Sequence, residues 1–164
     1  MFALTVNTKL KSKKAKFLVL AIACVLVLFI AFICVSSFVY TPPKSIEVEG
    51  KGKYTTVVKT DEDAQEFVEQ FSYEVEELYS LQEMYVPIEF NEIYAKYNEV
   101  QKTQGLDLEP YKGEKCKLYI YKLKDYEVDN AQAYMSVLVL EDRVIGGHIS
   151  TMIEGCESHT FFGE

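Results

Sequence analysis

Apolar positions fall along this chain in three rhythms, and each predicts a different element. Phe17 to Val35 is nineteen apolar residues without interruption, and no charge occurs between Lys16 and Lys44. Continued to Tyr40 as a helix, this run would rise roughly 36 Å, enough to cross a hydrocarbon core with some tilt. Only a helix satisfies its own backbone there, and Thr41-Pro42-Pro43 cannot extend one. The prediction is a transmembrane helix over 17–40. A cleaved signal peptide carries a shorter apolar region, and Ala23-Cys24 leaves too short a stretch before it for a lipoprotein, so the anchor is read as retained.

The second rhythm is helical and occurs twice. Ala64, Phe67, Val68 and Phe71 fall at i, i+3, i+4 and i+7, behind Thr60 or Asp61 as N-cap and with acids in the first turn. A second helix starts near Glu89 to Asn91 and stops at Gly105, a residue suited to a left-handed C-cap. Its expected buried face is Phe90, Ile93, Tyr94, Tyr97 and Val100. Gln101 and Gln104 violate that face, because they fall inside the apolar sector, with Asn98 at its margin.

The third rhythm alternates. Glu83 to Ile88 reads as a short strand, with Pro87 placing it at an edge or a strand end. Lys115 to Lys124 puts Cys116, Leu118 and Ile120 on one face and Lys117, Tyr119 and Tyr121 on the other. Lys124 to Gln132 reads as a polar loop. Ala133 to Leu140 is apolar on both faces, which suits a central strand, and Glu141-Asp142-Arg143 turns it into Val144 to Met152. Ile46/Val48 and Thr55–Val57 could pair as short strands within a linker, Leu106 to Gly113 is a compact loop, and the C-terminus reads as a loose tail. The expected fold class is α+β: one transmembrane helix, then an antiparallel sheet with two helices packed on one face. The expected boundaries are a basic tail over 1–16, the span over 17–40, a linker over 41–59 and a domain over 60–164.

Charge adds an orientation. The first sixteen residues hold five of the seventeen basic residues and none of the twenty-five acidic ones. Lysines stay on the cytoplasmic side, so the expectation is a cell-membrane protein with its N-terminus cytoplasmic and its acidic domain extracytoplasmic. The acidic balance excludes nucleic acid as a partner. The expected partners are the lipid bilayer, through residues 17–40, and an envelope or membrane protein.

Outside the cytoplasm disulfides persist. Cys24 and Cys34 fall in the span, which leaves Cys116 and Cys156 as the expected bridge, worth about 4 kcal/mol for a loop of that size.

Candidate chemistry is sparse. Buried amides need partners, so Gln101 and Gln104 either bond the 106–113 loop or the sheet backbone, or line a polar pocket with Asn98. Gly146-Gly147 inside a strand suggests a bulge or a close backbone approach. Tyrosine occurs twelve times and tryptophan never, and Tyr119 and Tyr121 share a strand face where they could stack a sugar or peptide or fill the core. His148, Glu154, Cys156, Glu157 and His159 could be assembled into a metal set, or the cysteine and histidines into a nucleophile pair. A mobile tail and the competing disulfide argue against both. No phosphate loop, paired-histidine metal helix or serine elbow occurs.

The run from Tyr94 to Gly113, Y-A-K-Y-N-E-V-Q-K-T-Q-G-L-D-L-E-P-Y-K-G, is followed by a tyrosine-rich strand and Val144-Ile145-Gly146-Gly147. With the M-F-A-L-T-V opening, it resembles a family of uncharacterised bacterial single-pass membrane proteins known as domain-of-unknown-function family 4830. The resemblance covers most of the chain and implies a cell-envelope location with no established activity. This chain departs from the usual pattern at Tyr73, where tryptophan is common, and at His148, where aspartate is. Cys116 and Cys156 stand where apolar residues are usual.

The expected function is a membrane-anchored, extracytoplasmic binding module of the cell envelope, with no cofactor, no metal and no catalytic residue. The candidate ligand contacts are Asn98, Gln101, Gln104, Tyr119, Tyr121 and His148. The alternatives are a membrane-tethered metal-binding protein or hydrolase using His148, Cys156 and His159, and a ligand sensor acting through a membrane partner.

Overall fold

A computed structural model describes residues 13–36, 42–153 and 158–163. The chain divides into two compact units, 1–39 and 40–164. The first contains helix α1, Lys13–Ser36, of 24 residues. Its described side chains, at Phe17 and positions 19–31, are all exposed. Among the described residues no helix is long and apolar enough to cross a membrane. Residues 37–40 of the expected span, Thr41 of the expected linker and 1–12 of the basic tail lie outside the described residues.

The second unit is an α+β domain. A hairpin of β1 (Ser45–Val48) and β2 (Gly52–Thr55) precedes α2 (Asp61–Glu69), β3 (Val75–Tyr85), α3 (Glu92–Thr103), a 3-10 turn at Glu109–Tyr111, and strands β4 (Lys115–Val128), β5 (Ala131–Leu140) and β6 (Arg143–Thr151). The last four strands form one antiparallel sheet in the order β3-β4-β5-β6, so β5 is central, as its two-faced apolarity predicts. Hairpin turns at Asp129-Asn130 and Glu141-Asp142 hold positive φ at both residues, the conformation that two-residue hairpin loops favour.

Each helix has a local cause. Thr60 caps α2: its hydroxyl accepts from the Asp63 N–H at 3.1 Å, while the Asp63 carboxylate accepts from the Lys59 and Thr60 N–H groups. Those bonds, the Lys59 one first, hold the Asp63 carboxyl below the usual range. Asn91 caps α3 through the Tyr94 N–H at 2.8 Å. Gly105, at φ +82°, ends it as expected, and a Cβ there would run into the Ile46 side chain.

The helices lie on opposite faces of the sheet, not on one. Ala64, Phe67 and Val68 of α2 pack on Tyr119, Tyr121, Leu123, Met135 and Val137. Cys116, Leu138 and Ile145 point the other way and pack with Val86, Leu108 and Tyr111 under Phe90, Tyr94 and Tyr97. Strand alternation forces this division, since Tyr119 pairs with Val137 and Leu118 with Leu138. A sheet apolar on both sides of β5 needs a cover on each.

Several boundaries differ from expectation. β3 runs over eleven residues and ends at Tyr85, before Pro87. β4 continues to Val128 where a loop was expected, because a bulge at the positive-φ Asp125 carries the strand past its polar residues. Ile93 of α3 is 78% exposed, whereas Asn98 and Gln101 are buried. The tail is not loose throughout: Phe161 is fully buried in the α2-side core, and His159 pairs with Ile149.

Only one half of the expected Cys116–Cys156 bridge falls among the described residues. Cys116 is a free, buried thiol, packed on the α3 side, and Cys156 lies outside the described residues.

Candidate functional site

The buried face of α3 is polar. Tyr94, Tyr97, Asn98 and Gln101 follow one another at helical spacing, with Gln104 in the next turn, and all except the half-buried tyrosines are almost wholly enclosed. Gln101 and Gln104 meet strand β6 at Gly147. The Gly147 N–H donates to Gln101 Oε1 at 2.8 Å, and Gln104 Nε2 donates to the Gly147 carbonyl at 2.9 Å. Gln104 Nε2 also donates to Gln101 Oε1, and Gln104 Oε1 accepts from the Phe161 N–H, both at 2.9 Å. Two side-chain amides thereby do for Gly147 what a neighbouring strand would do. They bond the sheet backbone and fix how α3 docks.

Glycine is required where this happens. A Cβ on Gly147 would collide with the Ser136 carbonyl and the Phe161 ring, and one on Gly146 would press on Leu108 and on Gln101 Oε1. Ile145 is the extra residue of a bulge in the β5–β6 ladder, so the glycine pair marks both a bulge and a close approach.

Asn98 holds the loop after α3. Its Oδ1 accepts from the Leu108 N–H at 2.8 Å and its Nδ2 donates to Asp107 at 2.9 Å. Tyr119 and Tyr121 lie on the other face of the sheet, ring parallel to ring, and their hydroxyls donate to the Asp61 carboxylate and carbonyl. His148 is on the α3 face, with Nδ1 3.1 Å from the Tyr97 hydroxyl. Burial pushes the imidazole down to about 4 and the Tyr97 hydroxyl above its ordinary range, so two neutral groups share one hydrogen bond. Nearby, burial pushes Tyr94 up to about 12 and the Cys116 thiol to about 11. The Cys116 thiol packs in the α3-side core, where burial disfavours its thiolate.

The six candidate contacts therefore do not converge. The amides and Asn98 serve backbone, Tyr119 and Tyr121 serve α2, and His148 serves Tyr97. Among the described residues no group of three or more His, Cys, Asp or Glu could hold a metal. Cys156, Glu154 and Glu157 lie outside them. His159 pairs with Ile149, and partners across strands share a face, which puts its ring on the side opposite His148.

A cavity of about 250 Å³ opens among Val58, Lys59, Glu83, Lys117, Tyr119 and Asp142, and one of about 240 Å³ among Pro42, Lys102, Gly105, Asp107, Tyr111 and Ile145. Of the six candidate ligand contacts only Tyr119 reaches either, and Cys116 also lines the first. Asp107 escaped sequence reading as one acid among many, and Asp61 was read only as a candidate N-cap, not as the partner of Tyr119 and Tyr121. The feature that alternation could not reveal is the outer edge of β3, where Leu78, Tyr79, Leu81 and Tyr85 are exposed.

A family model described as a domain of unknown function, DUF4830, matches residues 67–149. The chain belongs to this family. The DUF4830 segment takes in the last residues of α2, all of β3, α3, β4 and β5, and most of β6, including Gln101, Gln104 and Gly147. Asp61 and Phe161 fall outside it. No curated protein and no solved structure matches the chain.

Proposed function

We propose that the chain is a membrane-anchored binding module of the cell envelope, carrying its acidic α+β domain on the extracytoplasmic side and working through a partner protein. The observation that carries the anchor is α1: a helix of 24 residues whose sequence holds no charge from Phe17 onward. A helix apolar on every side is stable buried in lipid or in a large core, and its described apolar side chains are exposed. The lysines before it and the acids after it set the orientation. Binding is favoured over chemistry because the buried amides, Asn98, Tyr119, Tyr121 and His148 are spent on internal bonds.

Two measurements test this. Protease added to intact cells should remove the domain, and cleavage only after lysis would invert the topology. Cross-linking in intact cells followed by purification of the full chain in detergent should give a discrete envelope-protein adduct. Recovery of the chain alone would overturn the binding half of the reading.

A further inference from the structure

The two edges of the four-stranded sheet are treated differently. Along β6 the Gln101 and Gln104 amides bond Gly147. His159 exchanges two backbone bonds with Ile149, and the Val144 N–H donates to Thr56. The β3 edge has no such cover: β3 pairs with β4 alone, and among the described residues no other strand adjoins it. An uncovered edge is a template for another strand, which proteins blunt with bulges and charges. Here the two register irregularities lie between Val75 and Ser80, and Ser80–Tyr85 pairs without interruption. Leu78 and Leu81 are 42% and 44% exposed on this edge.

We propose that β3 takes a fifth strand, an extended partner-protein segment in which apolar residues alternate with lysine or arginine. This names the partner class for the binding reading above and rests on it. Main-chain hydrogen bonds to the open edge supply affinity, and side chains to either face supply selectivity. The charge is specified by composition: residues 60–95 contain eleven acids and no lysine or arginine. Glu76 and Glu83 of β3, and Glu74 just before it, pair with Lys122, Lys115 and Lys124 of β4, a cross-strand pairing that a lysine- or arginine-bearing strand on the outer edge would share. A second copy is the poorer occupant, since it would set the same run of carboxylates against itself.

The test is hydrogen exchange on the full chain in detergent micelles, with an end-blocked decapeptide of alternating valine and lysine as probe. Exchange over 75–85 should slow by about tenfold or more. Neither an alternating valine–glutamate peptide nor a valine–lysine peptide interrupted by proline should do this, and Leu81→Lys should weaken binding by about tenfold. Unchanged exchange over 75–85, protection of 61–69 instead, or equal protection by the proline peptide would overturn the proposal. So would protection that rises with protein concentration and no peptide, the mark of a second copy. Should Leu81→Lys lose the protection of β5, the three peptides on the native chain decide alone. A negative result with the topology and the cross-linked partner intact would remove the edge and leave the binding module.

Discussion

Gln104 is fully buried and spends its amide on three partners: Gly147 O, Gln101 Oε1 and the Phe161 N–H. A buried polar group costs most when its partner is taken away, because desolvation remains and the bond is gone. Gln104→Leu keeps the volume and strands the Gly147 carbonyl and the Phe161 N–H, so it should lower stability by about 2–4 kcal/mol. Urea unfolding reads this as a shifted midpoint at constant slope; an unchanged or raised midpoint would mean that the amides are dispensable. His148 gives a pH signature. Its folded value of about 4 lies below the ordinary 6.5. As pH falls through that window the unfolded chain takes a proton that the folded one refuses, so stability is lost between about 6.5 and 4 and is unaffected above it. The loss is on the order of 2–3 kcal/mol. His148→Gln, measured beside the native chain at pH 7 and pH 4.5, should lose less stability between the two, and parallel losses would show that the ring titrates normally.

Elements divide by whether their signal is local. The start of α2 and both ends of α3 were legible because Thr60, Asn91 and Gly105 act through their own backbone surroundings. The face of α3 was not, because an apolar count puts Ile93 inside and cannot know that a strand edge needs two amides. β3 was cut short because nearly all of it is exposed on both faces, which leaves no alternation to read. β4 was ended at Lys124 because the bulge at Asp125 resets its phase. The candidate site was legible only in part: the misfit of Gln101 and Gln104 was visible, and their use was not, since it depends on Gly147, more than forty positions away. The tail is the clearest case. Phe161 sits 5.1 Å, centroid to centroid, from Phe67 and 5.2 Å from Phe71, contacts that no local pattern encodes. Phe161→Ala should cost about 3–4 kcal/mol as a cavity in the α2-side core. A cost under about 1 kcal/mol would be a surface value and would show the tail to be an appendage.

At the scale of the molecule, among the described residues, the sheet has one edge that the chain closes itself and one that it leaves open, and hydrogen exchange can see both in a single experiment. Protection follows hydrogen bonding and burial. The Gly147 amide belongs to an edge strand, yet it donates to a fully buried Gln101, so it should exchange as slowly as amides at the centre of β5. Among the described residues no strand faces the outward amides of β3, which should exchange at rates close to those of a loop. Gln101→Ala should speed Gly147 selectively and leave β3 as it was, because the two edges lie on opposite sides of β4 and β5. If Gly147 exchanged as fast as β3 in the native chain, the amide pair would not be closing the edge. If the outward β3 amides were protected in dilute protein without a partner, that edge would already be covered, and the asymmetry that assigns it to a partner would disappear.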